Sequence, residues 1–118
     1  MYDFWIWDAM LASTNAGAAW DADGSPPDPY VKILVNGVEA GRTAVMADTY
    51  TPAWGVTVIT VSIPDGANVE LDVEDSDAIV DDFAFNCVAT PINASELRSR
   101  DAGCTGATGT LTANVFPH

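Results

Sequence analysis

Basic residues are the scarcest feature of this chain: four Lys and Arg stand against seventeen Asp and Glu, for a formal charge of −13. Such a surface repels phosphate backbones, which excludes nucleic acid as a partner. The one histidine, His118, is the last residue, so no Ser-His-Asp or Cys-His set can be built around it. No Gly-rich phosphate loop is present. Paired carboxylates can hydrolyse glycosides, but a small acidic domain offers no evident sugar cleft, and an enzyme is not expected. No run approaches the roughly 20 apolar residues of a membrane span. The opening Met1-Tyr2-Asp3-Phe4-Trp5 lacks the basic region and apolar core of a leader. The expectation is one domain, 1–118, cut from a longer protein with Met1 added.

Cysteine is nearly as scarce, with Cys87 and Cys104 alone. Neither sits in a close-spaced ligand pair, which disfavours zinc. Bonded to each other they would close a loop worth roughly 3 kcal/mol and place the protein in an oxidising, extracytoplasmic setting, secreted or at the cell surface. The alternative is two buried thiols.

What is present reads with a period of two. In a chain of 118 residues that is 48% hydrophobic, one two-layer core can form and disorder is not expected. Asn68 to Glu74 alternates cleanly, with Val69, Leu71 and Val73 inward and acids outward. Val56 to Ile63 is rich in β-branched residues and suits a central strand. Tyr30 to Val35 is a strand ended by Asn36-Gly37, a hairpin signal, with Arg42 to Met46 returning. Phe83 to Ala89 and Thr110 to Phe116 complete the set, the latter with Leu111, Ala113 and Val115 on one face. A capping box at Asn93 to Glu96 predicts one or two helical turns over Ala94 to Arg100. Seven or eight short strands joined by turns predict an antiparallel β-sandwich. Trp5, Trp7, Trp54, Phe83 and Phe85 fall at strand positions and are assigned to packing. Trp20, at a predicted loop tip, either anchors in a lipid interface or plugs the loop.

Two acidic runs carry the functional signal. One is Trp20-Asp21-Ala22-Asp23-Gly24-Ser25-Pro26-Pro27-Asp28-Pro29-Tyr30; the other is Glu74-Asp75-Ser76-Asp77-Ala78-Ile79-Val80-Asp81-Asp82. Alternate-residue pairs, Asp21/Asp23 and Asp75/Asp77, put both carboxylates on one side of an extended segment. At about 4 Å and an effective dielectric near 20, a like-charge pair costs roughly 4 kcal/mol. A hard cation among them removes that cost. Ca²⁺, which takes six to eight oxygens in irregular geometry, suits such loops better than Mg²⁺.

In their order these segments resemble a C2 domain, the calcium-dependent phospholipid-binding sandwich. The resemblance spans Phe4 to Phe116. It rests on Phe4-Trp5-Ile6-Trp7-Asp8-Ala9-Met10-Leu11 leading to Asp28-Pro29-Tyr30-Val31-Lys32, on Thr51-Pro52-Ala53-Trp54, and on Asp75-Ser76-Asp77 followed by Asp82-Phe83. The family fold implied is all-β, an eight-stranded antiparallel β-sandwich whose loops at one end bind two or three Ca²⁺ ions. The strand order resembles the permuted, type II arrangement. The seventh strand would then fall near Gly103–Ala107, where little strand character is visible.

Carried over by position, Asp28, Asp75 and Asp77 would be metal ligands. Asp82 would join them, with Asp81 the alternative because the Asp77-to-Asp82 interval is one residue short of the family's usual one. The first loop leaves Asp21 and Asp23 both open, with Asp21 favoured, because position 22 is Ala. The function implied is Ca²⁺-dependent docking on phospholipid, with Trp20, Ile79 and Val80 as membrane contacts; the alternative for Ile79 and Val80 is that they tuck into the domain. Only Lys32 and Arg42 could supply a basic sheet face, so a polybasic lipid site is not expected. The second function class is a calcium-stabilised structural or protein-interaction module.

Overall fold

The computed structural model describes residues 1–15, 17–18, 20, 24–77, 81–92 and 100–117. Nine strands follow one another: β1 (Tyr2–Leu11), β2 (Pro29–Val35), β3 (Val38–Arg42), β4 (Ala53–Val61), β5 (Ala67–Asp75), β6 (Asp82–Ile92), β7 (Arg100–Asp101), β8 (Cys104–Gly106) and β9 (Gly109–Pro117). They form two antiparallel sheets. One runs β4-β1-β9-β7, with β8 also on β9; the other runs β3-β2-β5-β6. Strand β9 pairs with β1 along one edge, and with β7 and β8 in succession along the other. The two short strands thus share one position, and the sandwich has eight positions.

The alternation read in the sequence builds the core. Val69, Leu71 and Val73 of β5 face Phe4 and Ile6 of β1 and Leu111, Ala113 and Val115 of β9 in one buried cluster. Burying a side chain of this size contributes about 1.5–3 kcal/mol. At Asn36-Gly37 both residues have positive φ, 52° and 80°, the geometry a two-residue hairpin of matching twist requires. The return strand therefore starts at Val38, not at Arg42 as the sequence suggested. The β-branched strand β4 lies at the edge of its sheet, not centrally. Along it Val61 is buried and Ile59 packs partly against the core, while Val58 is exposed.

Strand β8 does occupy Cys104–Gly106, where the sequence carried little signal. Close packing replaces propensity there: a Cβ on Gly106 would lie 2.9 Å from Phe85 Cβ. Cys87 and Cys104 are bonded to each other, tying β6 to β8 and so one sheet to the other. No helix occurs among the described residues. The predicted turns over Ala94 to Arg100 fall outside them, except Arg100, which belongs to β7.

Candidate metal centre

Register places the acidic residues. Pro29 pairs with Asp75, and Asp75 pairs with Asp82. The start of β2, the end of β5 and the start of β6 therefore lie side by side at one end of the four-stranded sheet. Described parts of three connecting segments meet there, around Asp28, Asp48 and Ser76.

Backbone donors lock the loops together. The Asp28 amide donates to Asp75 Oδ1 at 2.8 Å, and the Ser76 amide donates back to the Asp28 carbonyl at 2.9 Å. Asp28 Oδ1 accepts from the Asp48 amide at 2.8 Å, and the Thr49 amide donates to the Pro27 carbonyl. Asp48 holds a positive φ of 50° to make this contact, a conformation Asp tolerates better than most residues. The two acidic runs, 47 residues apart at Asp28 and Asp75, are thus in direct contact.

Within this end, Asp75, Asp77 and Asp82 each bring a carboxylate oxygen to within 4.8 Å of the others. Asp75 is fully buried at 0% exposure. Neither Lys32 nor Arg42 enters the group; the first pairs with Glu74 and the second with Glu39. Three carboxylates at this spacing with no ammonium or guanidinium from those two residues match the donor chemistry of a hard divalent cation. Asp75, Asp77 and Asp82 would hold it, and loop carbonyls would add neutral oxygens.

Asp81 is oriented differently. Its Oδ2 accepts from the Tyr30 hydroxyl at 2.5 Å, and its Oδ1 from the Asp77 amide at 3.0 Å. The Tyr30 hydroxyl first and the Asp77 amide second hold the Asp81 carboxyl below the usual carboxylate range. Burial, then the bond to Asp81, pushes the Tyr30 hydroxyl above the ordinary tyrosine range. Asp81 thus clasps the 76–81 loop onto β2, and of the two alternatives Asp82 is the one in the carboxylate group.

Other sequence-predicted positions divide. Asp21, Asp23, Ile79 and Val80 lie outside the described residues. Trp20 is not a membrane contact: it is 3% exposed, belongs to the core cluster and donates its indole N–H to the Ala12 carbonyl at 2.8 Å. The large apolar ring packs in the core cluster while its N–H meets a backbone acceptor, the loop-plugging alternative. Phe83, assigned to packing by its strand position, is 51% exposed beside Asp82. Register opposite Glu74 puts it on the sheet's outer side, after an irregularity between Val73 and Glu74. A strict period-two count cannot see that slip.

Comparison with known proteins agrees with this geometry. A family model described as C2 domain matches residues 11–104. No curated protein matches. A solved structure described as a C2 domain superposes with a TM-score of 0.71 at 18% identity, covering 98% of this chain and 97% of that one. A calcium-bound structure of the two tandem C2 domains of extended synaptotagmin 2 gives 0.72 at 22% identity, covering 98% and 44%. Human GIVD cytosolic phospholipase A2 gives 0.72 at 20%, covering 98% and 16%. The chain therefore spans less than half of those two larger chains. The chain belongs to the C2 domain family.

Proposed function

We propose that this chain is a calcium-binding C2 module that docks on phospholipid when the ion is held. The observation that carries this is the grouping of Asp75, Asp77 and Asp82 at one loop end, fastened to the Asp28 segment. In this reading Asp28 joins the set from the first loop, and Asp21 or Asp23, which lie outside the described residues, would add a further ligand. The ion would supply positive charge that the loops lack and bridge carboxylate to lipid phosphate.

Two or three ions bring four to six positive charges to a chain of formal charge −13, so the loop end reverses sign while the domain stays negative. Docking is then local. Exposed Phe83, with Ile79 and Val80 of the sequence between Asp77 and Asp81, would supply apolar contacts, each worth about 1.5–3 kcal/mol if buried. The permuted, type II strand order belongs to the same proposal, since β1 feeds the first loop and lies beside the last strand, β9. So do an extracytoplasmic home, favoured by the disulfide, and a binding rather than catalytic role.

One observation favours a second reading, a calcium-stabilised structural or interaction module. Lys32 and Arg42 are both engaged by intramolecular carboxylates, leaving no basic sheet face for lipid among the described residues. Calorimetric Ca²⁺ titration and co-sedimentation with phosphatidylserine liposomes separate the two. Lipid docking requires calcium heat and pelleting that chelator reverses. Calcium heat with a rise in melting temperature but no pelleting selects the structural module, and absence of calcium heat removes both.

A further inference from the structure

The outer side of the four-stranded sheet has an unusual charge arrangement. Tyr30 lies opposite Glu74, Lys32 opposite Asp72, and Leu34 opposite Glu70. Because side chains alternate along a strand, Glu70, Asp72 and Glu74 share the face opposite to buried Val69, Leu71 and Val73. Among the described residues, two cations reach this side. Lys32 Nζ pairs with Glu74 Oε2 at 2.5 Å, and the Arg42 guanidinium pairs with both oxygens of Glu39 at 2.9 and 2.5 Å. Each cation is matched by one carboxylate, which leaves Glu70 and Asp72 over.

Asp72 supplies a second, independent observation. It is only 7% exposed, yet its Oδ1 has no hydrogen-bond partner among the described residues. An unsatisfied buried acceptor of this kind is costly and is satisfied by an arriving donor. Glu70 beside it is half-buried and forms the reachable rim. The carboxylate grouping at single-ion spacing found among the described residues, Asp75, Asp77 and Asp82, does not include this pair. That disfavours a divalent ion, which needs converging ligands, and favours side-chain cations spread along an extended segment. Anionic lipid and nucleic acid are repelled from the same face.

We propose that this sheet face, centred on Glu70 and Asp72, docks a lysine- or arginine-rich segment of a protein partner, independently of the calcium loops. Complementary charge sets both encounter rate and register in such a contact. The face also exchanges a proton. Burial first, and the hydrogen bond to Glu70 second, push the Asp72 carboxyl up to about 7. The other groups facing it are Glu74 on its own strand, Lys32 and Tyr30 on β2, and Arg42 and Glu39 on β3. Strand β6 carries one acid, Asp82 at its first position opposite Asp75, and no lysine, arginine or histidine; Asn86 is the residue opposite Asp72. An arriving ammonium breaks the shared carboxyl O–H, takes its place, and sends the proton to the buffer.

The test uses the whole chain with chelator present and fluorescein-labelled octalysine as probe, read by anisotropy. Wild type binds more tightly at about pH 8 than at about pH 6, and titration in buffers of different ionisation heat shows proton release. The Glu70→Gln/Asp72→Asn pair loses at least about tenfold in affinity, whereas Asp8→Asn/Asp65→Asn, an equal charge change at exposed sites elsewhere, loses less than about threefold. If the first pair misfolds by circular dichroism, Glu70→Gln alone serves, because it sits at the rim. Equal losses in the two pairs, or affinity that does not change with pH, reduce the effect to diffuse acidity and overturn the proposal. So does displacement of octalysine by Ca²⁺ from an Asp77→Asn/Asp82→Asn variant, which marks the face as a metal site.

Discussion

Neighbouring aspartates with nearly identical sequence surroundings have different tasks here. Asp82 joins Asp75 and Asp77, while Asp81 turns to the Tyr30 hydroxyl and the Asp77 amide. Asp81→Asn keeps one acceptor where the carboxylate had two, so it is expected to lose about 1–2 kcal/mol of stability while calcium heat persists. Denaturant unfolding and calorimetry on the same variant check this; unchanged stability with lost calcium heat would make Asp81 a ligand. Asp72 gives a prediction of pH dependence. Its carboxyl titrates at about 7 when folded, against about 4 in an unfolded chain. Between those values the folded state binds more protons, so this residue's contribution to stability falls as pH rises from about 4 to about 7 and levels above. Asp72→Asn removes that slope. Urea midpoints at pH 5 and pH 8 should therefore differ less in the variant than in the wild type, and equal differences would contradict the assignment.

Among the elements, the strands at the loop end carry the most exacting contacts. Gly109 opens β9 opposite Leu11, and a Cβ there would lie 2.2 Å from the Met10 carbonyl oxygen and 2.7 Å from Phe85 Cε1. Backbone cannot yield as a side-chain tip can, so Gly109→Ala is expected to cost at least the 1–3 kcal/mol typical of overpacking. The same substitution at Gly37, where no atom lies within 4 Å, meets only the φ penalty of the hairpin. Comparing both melting temperatures tests whether close approach dominates. The Cys87–Cys104 bond closes a 17-residue separation between β6 and β8, which on the chain-entropy model is worth about 3 kcal/mol. Replacing both with Ala should lower the melting temperature by roughly 10 °C, a loss that thermal unfolding under oxidising conditions would record. A thiol titration of the unfolded wild type that finds two free groups would deny the bond.

For the whole molecule, charge is the governing quantity. A chain of formal charge −13 repels itself when compact, and the carboxylates of the loop end concentrate that repulsion. Calcium at about 100 times its dissociation constant should add roughly 2.7 kcal/mol for one site by mass action. Monovalent salt should also stabilise the metal-free protein, because screening acts within about 10 Å at 0.1 M. The two effects are distinguishable by thermal shift: the calcium increment should vanish in Asp75→Asn/Asp77→Asn and the salt increment should remain. Period-two alternation, the Asn36-Gly37 turn and the two acidic runs made the sandwich and its carboxylate-rich end legible in the sequence, since strand faces and turn geometry are set by residues near in the chain. The sheet edges were not legible: β4 lies at the border and β8 forms without strand propensity, because pairing partners far along the chain decide both. The same holds for Trp20 inside its loop, for Phe83 outside the core, and for the choice between Asp81 and Asp82. In each, one residue's direction depends on a neighbour such as Ala12, Glu74 or Tyr30 that only folding brings near. Local chemistry determined which residues this protein has for holding charge; their convergence at one end, and the burial of Asp72 on the outer side of its sheet, were decided by register.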